Sequence, residues 1–119
     1  MVLAIHADQT RQHGGSTRIR DEGGLQSALA RARNRWSYEP SSRLTELAAA
    51  HGQGIVNNHP FVDGNKRTAF QAMYVFLGLN GLRIVAREAE VVPVMVDLAS
   101  GGLDEAGLAG WLSARTTPR

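Results

Sequence analysis

The sequence predicts an all-α fold: one compact single-domain bundle of about six helices, with a short irregular flap or hairpin near residues 14–24. Three observations predict it. Apolar residues recur at three- and four-residue spacing in most segments of the chain. Glycine and proline marks at Gly14-Gly15, Gly23-Gly24, Pro40, His59-Pro60, Gly81 and Gly101-Gly102 cut the chain into pieces of helix length. At 119 residues the chain has room for one hydrophobic core and is too short for two domains.

The elements follow in order. Ala4 and Ile5, with the polar residues after them, suggest a first short helix ending near Gln12. The stretch Gly14 to Gly24 holds Gly14, Gly15, Gly23 and Gly24 and shows no apolar face, which predicts the flap. Leu25, Ala28, Leu29 and Ala32 lie at helical spacing after Asp21, a good N-cap residue. Leu44, Leu47, Ala48, Gly52 and Ile55 form the next stripe, opened by Ser41 or Ser42. Ala69, Ala72, Met73, Phe76 and Leu77 give the cleanest one, and Asn80-Gly81 stops it. Leu82 to Val85 reads as a short extended piece. Val92, Met95, Val96 and Ala99 predict a fifth helix, in which Pro93 must lie in the first turn or produce a kink. Asp104 caps a sixth, carried by Leu108, Trp111 and Leu112.

Composition removes several functions. The chain has no cysteine, so disulfides, zinc fingers and cysteine nucleophiles are excluded. No apolar run approaches the roughly 20 residues a bilayer span needs. Met1 to Gln12 lacks a signal-peptide core, so the expected location is cytoplasmic. Net charge is only +2, and Lys66 is the sole lysine among 13 basic residues. Arg11, Arg18, Arg20, Arg31, Arg33 and Arg35 cluster in sequence. With so small a net charge they read as a solvated face rather than a nucleic-acid footprint.

One stretch, Asn57 to Arg67, is not explained by packing. Pro60 biases His59 away from the right-handed α region, so the preceding helix ends near Asn58. Gly64 permits left-handed torsions, and the next helix starts at about Asn65. A helix, a tight loop and a helix N-terminus make an anion site, because free N–H groups and the positive end of the helix dipole meet in the loop. Lys66 and Arg67 in that first turn are disfavoured by the dipole unless an anion sits there. Asn65 can donate to a phosphate oxygen, and Asp63 can hold Mg²⁺ against phosphate. His59 suits the removal of a proton from an attacking hydroxyl. Pro60 and Phe61 read as anchors of the loop. Each residue also has an ordinary role: His59 as a loop histidine, Asp63 as an N-cap, Lys66-Arg67 as a solvated pair. The conjunction favours phosphoryl or nucleotidyl transfer, where positioning and charge neutralisation dominate.

HPFVDGNKR, residues 59–67, resembles the signature loop of the Fic/Doc superfamily, HPFx[DE]GN[GK]R. Gly14-Gly15, Arg20-Asp21-Glu22-Gly23 and Leu25 through Tyr38 look like the flap and following helix of its Doc (death-on-curing) toxins, and Thr68-Ala69-Phe70 continues the likeness. The resemblance implies ATP-dependent transfer to a protein hydroxyl. His59 would be the general base, Asp63 the Mg²⁺ ligand, and Gly64, Asn65, Lys66 and Arg67 the phosphate binders. The flap, with Gly14, Gly15, Arg20 and Asp21, would dock the target. Lys66 and Phe70 stand where Fic adenylyltransferases usually carry Gly and Arg. Lys66 follows the Doc pattern, which implies a kinase acting on a threonine of translation elongation factor Tu. No inhibitory [ST]xxxE[GN] helix is present, since Leu47 follows Ser42 to Glu46. An antitoxin with a segment that folds on binding is therefore the implied partner. Asn57, Asn58 and Gln71 flank the site as candidates for the adenine. The alternatives are AMP transfer on the same scaffold, a binding module without turnover, and a nucleic-acid enzyme. The last is disfavoured by a loop with a single carboxylate.

Overall fold

Residues 2–4, 7, 11, 18–59 and 64–119 are described in this computed structural model. Their elements are α1 (Glu22–Tyr38), α2 (Leu44–Asn58), α3 (Asn65–Leu79), β1 (Leu82–Ile84), α4 (Glu88–Ser100), α5 (Glu105–Arg115) and β2 (Thr116–Pro118). Val2, Leu3, Ala4, Ala7 and Arg11 are helical too, where the sequence places a short first helix. The fold is the expected all-α bundle. Gly14 and Gly15 lie outside the described residues.

α2 occupies the middle, against α1, α3 and α5. It is buried on nearly every side: Leu47 through Ala50 and Gly52 through Val56 are all enclosed, the mark of a central helix. Its small residues let the neighbours approach. A Cβ on Gly52 would stand 2.5 Å from Met73 Sδ of α3. On Gly54 it would stand 3.1 Å from the Ala28 Cα of α1. Leu25, Ile55, Met73, Leu77, Leu98, Leu108 and Leu112 fill the core around this wedge.

Helix entries follow the sequence with one exception. Asp21 Oδ1 accepts the Gly24 N–H at 2.9 Å to open α1, and Asp104 Oδ1 accepts the Gly107 N–H at 2.7 Å to open α5. α2 is opened by Arg43 and not by Ser41 or Ser42. The Ser42 N–H is spent on the Glu39 carbonyl in a turn, and the Arg43 N–H donates to Glu46 Oε1 at 2.8 Å. That bond, with Arg35 alongside, holds the Glu46 carboxyl below its ordinary pKa. Arg35 also reaches Glu105 of α5 at 2.8 Å, and Arg31 pairs with the same carboxylate. These arginines are staples across α1, α2 and α5; Arg31 stays exposed, as a solvated face implies, whereas Arg35 is half-buried between two carboxylates.

Two further expectations change. Val91, Val94, Met95 and Leu98 turn α4 toward the core, whereas Val92 and Val96 are exposed. Both rows have helical spacing in a helix apolar almost all round, so periodicity could not choose between them. Pro93 lies beyond the first turn, inside the helix. The extended piece at Leu82 to Val85 has a partner that the sequence did not announce. β2 pairs with β1 antiparallel, Arg83 opposite Thr117. The Arg119 guanidinium then donates to the Gly78 carbonyl at 2.9 Å, tying the C-terminus to the end of α3. Among the described residues no helix is long and apolar enough to cross a membrane.

Candidate active site

The α2–α3 junction is where the two helix ends meet the conspicuous loop. α2 ends at Asn58 and α3 begins at Asn65, as the sequence predicts. His59 is the C-cap of α2, with φ 46° and ψ 53°, and its N–H donates to the Ile55 carbonyl at 3.1 Å. It is the one non-glycine residue with positive φ among those described. Histidine tolerates this left-handed region better than most residues, and Pro60 disfavours the right-handed alternative. The His59 side chain is exposed. Pro60, Phe61, Val62 and Asp63 lie outside the described residues, so the anchor and metal-ligand expectations for them stand as sequence readings.

Gly64, at φ 77° and ψ 20°, is the N-cap of α3. The left-handed turn expected of this glycine is present. The cap position does not fall to Asp63, and a glycine has no side chain with which to accept the first N–H groups of the helix. Lys66 and Arg67 are exposed in the first turn, which contains no acidic residue. Neither forms an ion pair with any described residue. Asn65 differs from them: only 6% of it is exposed, so its side chain is held in the protein. The junction thus presents an exposed imidazole, the N-terminal end of a helix and two exposed cations, an arrangement suited to phosphate.

A model of the Fic/DOC family matches residues 1–77, which run from the N-terminus through the junction and most of α3. The chain belongs to the Fic/DOC family. It is 42% identical over 74 residues to Toxin Doc of Mycolicibacterium smegmatis (strain ATCC 700084 / mc(2)155). That stretch covers 61% of this chain and 57% of the relative, so the match spans little more than half of that protein. It is 28% identical over 111 residues to Protein kinase doc of Escherichia phage P1, covering 93% of this chain and 87% of the relative.

The surroundings of His59 hold contacts that sequence reasoning missed. The Arg20 Nε–H donates to the His59 carbonyl at 2.9 Å, and its Nη2 to the Asn58 carbonyl at 3.3 Å. Asn58 Nδ2 donates to the Gly24 carbonyl at 2.8 Å. Asn58 is thus committed to α1, while Asn57 is exposed and Gln71 half-buried. Asp21, read from the sequence both as the cap of this helix and as a flap residue, caps α1, and Gly23 and Gly24 belong to its first turn. A Cβ on Gly24 would stand 3.3 Å from the Asn58 carbonyl oxygen. The one signal available was that Gly-Gly pair, which marks a close approach of backbones rather than flap flexibility.

Proposed function

We propose that this protein is a Doc-type toxin of a toxin–antitoxin module, an ATP-dependent kinase that phosphorylates a threonine hydroxyl of translation elongation factor Tu and so blocks translation. The observation that carries this reading is the first turn of α3. Exposed Lys66 and Arg67 stand at the positive end of a helix that is capped by a glycine and has no acidic residue in its first turn. Those features fit the polyphosphate of a nucleotide. Asp63 would hold Mg²⁺, which neutralises phosphate oxygens when bound.

The chemistry asked of the chain is then small. The N–H groups of α3, with Lys66 and Arg67, hold the γ-phosphate in line. His59 accepts the proton as the threonine oxygen bonds to the γ-phosphorus and the bond to ADP breaks. Lys66 in place of the glycine usual in adenylyltransferases favours γ- over α-phosphate presentation at His59. The relatives' names support toxin and kinase, and a toxin implies an antitoxin as partner.

A transfer assay with purified protein, Mg²⁺ and elongation factor Tu, comparing γ- with α-labelled ATP, tests this. Label is expected from the γ-phosphate and is expected to fall at least about 100-fold in His59→Ala, the usual worth of a general base. Label from the α-phosphate would replace the kinase by an adenylyltransferase.

A further inference from the structure

We infer that Arg20 is a positioning residue for His59, holding it in the conformation from which it acts, rather than a contact for the target protein; the inference rests on His59 as the base. Three features of the junction lead there. First, the carbonyls of Asn58 and His59 are at the C-terminal end of α2, where helical carbonyls lack intrahelical partners and the dipole is negative. The Arg20 guanidinium supplies a fork of N–H donors and a positive charge to both. Second, His59 has few conformations open to it. Pro60 disfavours right-handed α, which leaves the observed left-handed one and the extended one. Passing from ψ 53° to the extended range swings the His59 carbonyl away from Arg20, so the bond at 2.9 Å selects the left-handed state. The imidazole direction is set by the same backbone. Third, Arg20 is itself fixed. Asp21 beside it caps α1, and the Asn58 amide grips Gly24 in the same turn, so the arginine is aimed from a braced helix start.

The two roles differ in what they move. A docking arginine raises KM for the acceptor and leaves kcat alone. A positioning arginine lowers kcat and leaves acceptor KM near its starting value. For Arg20→Ala, kcat toward elongation factor Tu is expected to fall about 10- to 100-fold, the scale of a misplaced catalytic group. Arg20→Lys, with a point charge in place of the fork, is expected to recover part of it. Asp104→Ala, which loosens the distant α5, serves as the control for a merely destabilised protein, with kcat unchanged. The second measurement is the backbone NMR signal of His59, whose Cα and Cβ shifts report the left-handed state. They are expected to move toward extended values in Arg20→Ala, whether or not the wild type transfers phosphate. If transfer fails in the wild type, the kinase reading falls and the NMR shift alone decides the role of Arg20. Unchanged His59 shifts, or a raised KM with intact kcat, would overturn it.

Discussion

Three of the helix N-termini of this protein fall into two kinds. α1 and α5 each start with an aspartate that accepts the third N–H of the helix, followed by a glutamate in the first turn. Those ends satisfy themselves, with an acceptor for an unpaired donor and negative charge against the positive end of the dipole. α3 reverses both terms. Its cap is a glycine in the left-handed region, and its first turn carries Lys66, Arg67 and no acid. The comparison separates helix ends that match the dipole from one that opposes it, and it is the opposed end that the proposed function assigns to phosphate.

The sharpest way to break this comparison is to give α3 the charge that the other starts have. Lys66→Glu is expected to weaken Mg-ATP binding about 100-fold, since hydrogen bonds to charged groups are worth about 1.5–3 kcal/mol each and repulsion adds to the loss. The same substitution is expected to stabilise the fold by about 0.3–1 kcal/mol through the dipole. Titration calorimetry with Mg-ATP and thermal melting measure the two effects. A variant that loses both nucleotide affinity and stability would mean that the cation is structural and α3 no exception.

The contrast was readable in sequence only on one side. Asp21, Asp104, the end of α2 at Asn58 and the start of α3 at Asn65 were legible because each follows from a local rule about caps, proline or glycine. His59, Lys66 and Arg67 were singled out because the motif is contiguous, and they lie together at the α2–α3 junction. What failed is what depends on distant partners. Arg43 displaced the serines as cap of α2 because Glu46 reaches back to it, and Glu46 is held in turn by Arg35 of another helix. β2 exists because β1 lies beside it, and nothing in Thr116 to Pro118 specifies a strand. Arg20 looked like one flap arginine among several until the fold brought the end of α2 to it, 39 residues away in sequence.

A smaller effect tests the other arm of the comparison. Asp104→Ala removes an acceptor from a helix start assigned to stability alone. It is expected to cost about 1 kcal/mol, or roughly 4 °C in Tm, with no change in nucleotide affinity. Thermal melts alongside ATP titrations separate the outcomes. A loss of affinity would tie α5 to the site and blur the distinction between the two kinds of helix start.

The smallest effect concerns a polar exception in the packed body. His51 of α2 lies against the Phe76 ring of α3, centroids 5.3 Å apart, and its buried Nδ1 has no hydrogen-bond partner among the described residues. Burial disfavours the imidazolium and holds its pKa below the ordinary 6.5. The unfolded chain therefore binds this proton at higher pH than the folded one. Stability from His51 is complete above about pH 6.5 and is lost as pH falls toward its depressed folded value. Glu46 and Glu90, also depressed in the fold, are carboxylates with an ordinary value of 4.5, so their contributions are lost only at lower pH. Tm is thus expected to decline as pH falls below about 6.5, and His51→Leu, which keeps an apolar contact to Phe76, is expected to flatten that decline. An unchanged slope in the variant would mean that His51 does not carry the decline.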